Sequence, residues 1–438
     1  MDQPGQRSGT VVAAQLSMMM FLQFFLWGAW YVTMGPFMAA SGMPPGAIGW
    51  AYTVGPIAAI ASPFFLGMVA DRFFATEKVL GVMHLLGGVF LCLAPFAAAQ
   101  SSTLFIVAIL LHMLCFMPTL GLTSSLALHN MTNAEKQFPL IRVFGTVGWI
   151  VANIAISTLA FDRSPNMFYV AGGSALLLGA FSFSLPHTPA PSKGRPFSGR
   201  DALGLDSLVL LKSRSFAVFC VCSFLLCIPL AAYYAFAGQF VGEMGFTKIA
   251  GTMSFGQMSE ILFMLIMPIC FAKLGVKWML SIGMLAWAIR YGLFATAADD
   301  QIKWMVLGGI LLHGICYDFF FVAGQIYVDG KAGPRIRGQA QGFYVLLTQG
   351  LGMLIGAQLA AALVARYQTG TGDDAVIDWQ TVWMYPAIFA FVVLIVFVIF
   401  FKDRISGGED SELIVPTPGT PAEPIPASNS ASNMQNPQ

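Results

Sequence analysis

Charge is scarce in this chain. Only 10% of its 438 residues are Asp, Glu, Lys or Arg, against roughly 25% in an ordinary soluble domain. Hydrophobic residues make up 57%, and mean hydropathy is +0.73. That shortage excludes a soluble globular fold and leaves a polytopic membrane protein. A net charge of +1 without a basic stripe excludes nucleic acid as a partner. No metal-ligand cluster such as HExxH and no nucleophile–base pair is present, so neither a metal site, nor a cofactor, nor an intramembrane enzyme is expected. All seven cysteines (Cys92, Cys115, Cys220, Cys222, Cys227, Cys270 and Cys316) fall inside apolar runs. They read as small core residues rather than a disulfide framework. The first apolar run is too long for the core of a signal peptide and shows no cleavage site, so it counts as a retained span.

What is abundant is the long apolar run. A spanning helix needs about 20 mostly apolar residues, and candidates lie at 12–39, 47–69, 78–98, 103–127, 142–161, 167–185, 215–241, 252–272, 278–297, 303–327, 339–365 and 380–401. The expected fold is therefore all-α, with twelve transmembrane helices. Residues 1–185 form one six-helix half, 186–214 a polar cytoplasmic connection, 215–401 a second six-helix half, and 402–438 a Pro/Ser/Asn-rich disordered cytoplasmic tail. Of the 22 Lys and Arg residues, sixteen lie on the side shared by both termini; only Arg163, Lys248, Lys303 and Arg366 lie on the other. The positive-inside rule then puts both termini in the cytoplasm of a multi-pass inner-membrane protein.

Six helices, a basic loop and six more is the layout of a major facilitator transporter. "GMVADR", Gly67 to Arg72, falls in the turn after the second span and resembles that superfamily's loop signature. Asp71 and Arg72 can pair with helix ends there and gate the cytoplasmic side. An ordinary turn of glycine and charge is the alternative, and "FAKLGVKWM" in the second half gives only a faint echo.

Several polar residues sit where lipid-facing helices have no use for them. An arginine at mid-bilayer costs about 2.5–3.5 kcal/mol on insertion scales, yet Arg142 opens the fifth span. Thr146 and Trp149 follow at i+4 and i+7 on the same face. These three can hydrogen-bond and stack against a polar aromatic solute, or Arg142 can snorkel to the headgroups. In the eighth span Gln257 and Glu260 share a face at i, i+3, with Arg142 or Arg290 as the candidate cation for the carboxylate. They form either a structural ion pair or a protonation site. The tenth span carries "HGICYDFFFVAGQ", in which Asp318 is an acid among aromatics and His313 and Tyr317 lie at i, i+4. His84 and His112 are isolated and read as packing residues, and Gln23 stands slightly above the aromatic background of the first span. "MPTLGL", Met117 to Leu122, suits a hinge or a place where carbonyls are freed.

At these residues a specific resemblance emerges. "FLQFFLWGAW", "MPTLGL", "FPLIRVFGTVGW", "LGLDSLVLLKSR", "QMSEILF", "YDFF", "IRGQAQGF" and "DWQTVW" run in order along nearly the whole chain. Together they resemble the bacterial nucleoside:proton symporter family of the major facilitator superfamily. The resemblance implies nucleoside uptake by alternating access, driven by the proton gradient alone, through a protein that functions as a monomer in the bilayer. It implies Arg142, Thr146 and Trp149 as substrate-binding residues on the fifth helix, and Gln257 and Glu260 as the polar pair on the eighth. Asp318 would be the buried acid on the tenth, with Asp318 or Glu260 coupling protons. The chain departs from the family on the seventh helix, where Ala231 and Tyr234 replace amides, and on the tenth, where His313 and Tyr317 replace tyrosine and phenylalanine. Tyr234, His313 and Tyr317 are accordingly expected to contact substrate. These departures leave open a symporter of sugars or another polar solute; a solute sensor of transporter-like build is a third reading, against which the intramembrane acids speak, since a receptor needs no proton site.

Overall fold

The computed structural model describes residues 9–65, 73–131, 133–190, 205–333, 336–370 and 374–402. Asp71 and Arg72, the middle of the 186–214 connection and nearly all of the 402–438 tail lie outside them. The described chain is helix almost throughout: α1 (Gly9–Tyr31), α2 (Met34–Ala40), α3 (Pro45–Phe65), α4 (Thr76–Gln100), α5 (Ser102–His129), α6 (Ala134–Thr158) and α7 (Asn166–Ser182) precede the connection. A 3-10 turn at Leu205–Lys212 leads into α8 (Arg214–Glu243), α9 (Ile249–Ala298), α10 (Lys303–Lys331), α11 (Arg337–Tyr367) and α12 (Trp379–Phe400). Its strands are a two-residue antiparallel pair, Gln368–Thr369 with Val376–Ile377. Among the described residues nine helical segments are long and apolar enough to cross a membrane.

Local chemistry explains where the helices break. Pro36 has no N–H and its ring crowds the carbonyl one turn earlier, so α1 stops at Tyr31 and α2 restarts at Met34. Tyr52 on α3 repairs the break: its hydroxyl donates to the Tyr31 carbonyl (2.8 Å) and accepts from the Gly35 N–H (3.1 Å). The 50 residues of α9 are two helical arms that meet at a kink, in keeping with the two spans and a turn expected at 252–297. Helical hydrogen bonding runs from Ile249 to Ala298 and is interrupted only at Gly275, whose φ of 69° a side chain would resist. "MPTLGL", by contrast, does not break its span. α5 passes through Pro118, and the Thr119 hydroxyl donates to the Phe116 carbonyl (2.6 Å) while accepting from Gln23 Nε2 (2.8 Å).

Small residues let helices approach backbone to backbone, the usual device where lipid offers no hydrophobic driving force. A Cβ on Gly148 would collide with the Phe21 backbone, and one on Gly28 with Trp149. This contact sets the aromatic face of α1 against the polar stripe of α6. Gly356 of α11 likewise accommodates Ala231 of α8.

One polar clamp joins helices from the two sides of the connection. Asp162, 5% exposed in the 159–165 turn, accepts from Ser157 Oγ and from the Ala250 N–H, both at 2.7 Å. Ser157 Oγ in turn accepts from the Gly251 N–H (2.8 Å). Together they cap the first turn of α9, where N–H groups have no helical partners and negative charge is favoured. Hydrogen bonds to a charged group contribute about 1.5–3 kcal/mol each, so Asp162→Ala should loosen this end of the bundle. Thr53, buried on α3 where Gln358 Nε2 donates to its hydroxyl (2.7 Å), offers a reporter. In a cysteine-free background a cysteine at Thr53 should react with a small thiol reagent at least several-fold faster once Asp162 is alanine. Equal rates would mean that the clamp does not hold the end closed.

Candidate functional site

A cavity of about 160 Å3 lies where α1, α6, α8, α9, α10 and α11 meet. Its wall contains all eight residues expected from sequence to touch substrate: Arg142, Thr146, Trp149, Tyr234, Gln257, Glu260, His313 and Tyr317. Phe24, Trp27, Tyr31 and Gln349 complete it. A larger groove of about 310 Å3 between α9 and α12 is lined by apolar side chains such as Trp278, Leu285, Ile395 and Ile399, all well exposed. Its lone hydroxyl, Ser281, is already donated to the Lys277 carbonyl (2.8 Å), so that groove is a lipid-facing seam.

The stripe on α6 faces inward as its spacing requires. Arg142 lies two turns inside α6 rather than at its start, with its guanidinium carbon 4.2 Å from the centre of the Phe24 ring. There the cation lies over an aromatic face at the cavity, a contact contributing about 0.5–2 kcal/mol. Trp149 packs edge-on against Trp27 (5.4 Å between ring centres), and Tyr31 packs against both Trp27 and Tyr234 at 5.5 and 5.7 Å. The result is an aromatic wall with two indole N–H groups, Trp27 Nε1 and Trp149 Nε1, that find no hydrogen-bond partner among the described residues.

Across from it stand the polar side chains of α9 and α10. Glu260 lies within electrostatic range of Arg142, and 3.9 Å separates its Oε2 from His313 Nε2. Arg290, the other cation considered for Glu260, is not its partner. It is fully buried behind the wall, 4.4 Å above the Tyr233 ring, and none of its guanidinium nitrogens is hydrogen-bonded among the described residues. His313 stacks between Tyr233 and Tyr317, 5.9 Å from each, and Ser259 Oγ accepts from the Gly314 N–H (3.0 Å) to tie α10 to α9. Gln257 Oε1 and His313 Nδ1 are buried without partners among the described residues. A polar atom buried unpaired costs roughly 1–3 kcal/mol, and a polar solute in the cavity would relieve that cost.

Asp318 is not in the wall. It is fully buried directly behind Tyr317, and neither carboxylate oxygen has a hydrogen-bond partner among the described residues. Tyr317–Val322 is a π-helical turn, as is Leu346–Gly352 of α11, which carries Gln349. Such turns insert one extra residue and cluster at functional sites. Ala231 is buried against Gly356 and does not reach the cavity, so on α8 only Tyr234 does. His84 and His112 are buried packing residues, the latter held by the Gly87 carbonyl at 3.0 Å. The seven cysteines are free, and no group of His, Cys, Asp or Glu among the described residues could hold a metal ion.

Residues 10–406 match the family model described as nucleoside H+ symporter. The chain belongs to the nucleoside H+ symporter family. It is 40% identical over 404 residues to the putative nucleoside transporter YegT of Escherichia coli, covering 89% of this chain and 94% of that one. The nucleoside permease NupG of the same organism is 32% identical over 407 residues, covering 89% and 95%. The crystal structure of NupG superposes with a TM-score of 0.80 at 31% identity, over 90% of this chain and all of NupG. A bacterial homologue of the human lysosomal transporter Spinster, at 11% identity and a TM-score of 0.68, shares the fold alone. This member of the nucleoside H+ symporter family is thus a multi-pass membrane transporter that moves nucleosides together with protons, and the sugar and sensor readings fall away.

Proposed function

We propose that this transporter carries nucleosides from the periplasm to the cytoplasm with one coupled proton-binding acid, holding the solute in the α1/α6/α8/α9/α10/α11 cavity. The observation that carries this reading is convergence. Eight residues from four helices, chosen for polarity on apolar faces, line one cavity, and one buried acid stands behind it. Arg142, Thr146, Gln257, Glu260 and His313 supply directional contacts; Trp149, Tyr234 and Tyr317 supply ring faces. Asp318 is the proton carrier, and Glu260, near Arg142, is the binding and switching acid. The driving force is the proton gradient, with no cofactor, and one chain is the working unit.

Twelve crossings in two halves fit the helices best. At 1.5 Å per residue a straight α9 would be about 75 Å long, more than twice a hydrocarbon core of about 30 Å. Its arms on either side of Gly275 therefore make two crossings. With α3, α7 and the other candidate spans they bring the total to twelve, six before residue 186 and six after 214. With both termini in the cytoplasm of the inner membrane, the Asp162 clamp closes the outer face. Single cysteines at Ser101 and Asp374 in a cysteine-free background should then react with an impermeant reagent from outside, and one at Ser198 should not. The reverse pattern would overturn the orientation. Uptake of labelled uridine and adenosine by cells lacking their own nucleoside permeases tests the substrate directly. Transport of neither would refute the assignment.

A further inference from the structure

We infer that Gln349 is a specificity-determining residue that reads the hydrogen-bonding edge of the nucleobase. This rests on the nucleoside reading of the cavity and names which part of the substrate meets which wall.

Gln349 is presented by the π-helical turn Leu346–Gly352. That turn is wedged in place. A Cβ on Gly352 would lie 2.7 Å from Cys227 Cβ and 3.0 Å from the Phe224 carbonyl on α8, and one on Gly350 would lie 3.0 Å from Ile60 on α3. The turn thus presses its glycine backbone against two neighbouring helices. Thr348 Oγ donates to the Tyr344 carbonyl (2.7 Å) and satisfies an acceptor that the wider register disturbs. With its flanks occupied in this way, the turn sends Gln349 into the cavity, where the side chain is half-buried. Its amide makes no hydrogen bond among the described residues. An amide offers a donor and an acceptor side by side, which matches the adjacent N–H and C=O, or NH2 and N, on the edge of a base.

The cavity has two different poles, and this decides between base and ribose. The segment carrying Glu260, Gln257 and their histidine neighbour packs against α6, where Arg142 supplies a cation. The π turn with Gln349 packs instead against α8 and α3. Tyr234, the residue α8 gives to the wall, packs on Tyr31 at 5.7 Å and so brings ring faces to the α8 side of the same cavity. A charged pole suits ribose hydroxyls, which give and accept strong hydrogen bonds. An aromatic pole with one neutral amide suits a flat heterocycle: the rings stack on its faces and the amide meets its edge.

The test compares substrates within one preparation, so that folding and expression cancel. Uridine and adenosine compete with their base-edge-methylated analogues, 3-methyluridine and N6-methyladenosine, and with their 2′-deoxy analogues, for uptake by wild type and by Gln349→Leu. Wild type should favour the unmethylated base by about tenfold, the factor expected for one hydrogen bond to a buried amide. In Gln349→Leu that preference should fall to within about twofold while the preference for ribose over 2′-deoxyribose is kept. Retention of the base-edge preference, or loss of the ribose preference in its place, overturns the inference while leaving the nucleoside reading intact. A wild type that transports neither nucleoside overturns both.

Discussion

Asp318→Asn should abolish accumulation of nucleoside against its gradient and leave exchange of internal for external nucleoside running. Asp318 has no hydrogen-bond partner for either oxygen among the described residues and lies fully buried one residue from the cavity wall. An ionised carboxylate so placed is costly, and a protonated one is not. A group of this kind holds a proton in one orientation of the protein and releases it in the other. Each proton moved down 100 mV releases about 2.3 kcal/mol, enough for roughly fiftyfold accumulation of a neutral solute at one proton per solute. Wild-type uptake should rise in acidic external medium and stop on addition of a protonophore. Exchange needs no net proton movement, so the variant should still equilibrate label across proteoliposomes. If Asp318→Asn accumulates nucleoside in response to a pH gradient, Asp318 does not carry the proton. If Glu260→Gln does so as well, coupling through α9 and α10 is refuted.

Arg142→Ala should weaken nucleoside binding by about tenfold to a hundredfold, the range for one lost hydrogen bond to a charged group. Gln257→Ala should fall toward the lower end. The loss at Arg142 has two sources, since the guanidinium both faces the cavity and lies over Phe24 at 4.2 Å. It is also the cation near Glu260, so removing it leaves that carboxylate without a counter-charge, a larger penalty than loss of the contact alone. Equilibrium binding to the purified protein checks both variants. Affinities within about twofold of wild type would remove these residues from the site.

The candidate site was legible in sequence wherever it obeyed helical spacing. Arg142, Thr146 and Trp149 at 0, +4 and +7, and Gln257 with Glu260 at 0 and +3, meet in one cavity because a face on an α-helix is a matter of counting. The counting fails where the helix stops being α. Each π turn inserts a residue and rotates everything beyond it, and Gln349 enters the wall from a run that gives no amphipathic signal. A glutamine flanked by Gly350 and Gly352 in an apolar run was the available clue. Phe24 and Tyr31 were hidden for a different reason: aromatics are so frequent along α1 that periodicity cannot separate wall from packing. Pro118 misled, since α5 absorbs its proline without a break, whereas the turn expected between 272 and 278 is where Gly275 leaves helical geometry. Partner choice was also beyond reach, because only packing reveals that Arg290 belongs to Tyr233 and not to Glu260.

The clamp at Asp162 turns the bundle into a lever. Ser157 lies fifteen residues beyond Arg142 on the same helix, which at 1.5 Å per residue is an arm of about 22 Å. A rigid-body rotation of about 15°, comparable to known subunit rotations, swings the clamped tip through roughly 6 Å. The same rotation moves a group near the pivot by far less. Two hydrogen bonds across the tip, from the Ala250 and Gly251 N–H groups, can therefore hold shut a door that would open by whole ångströms, and were the pivot near Arg142, its distance to Glu260 would change little.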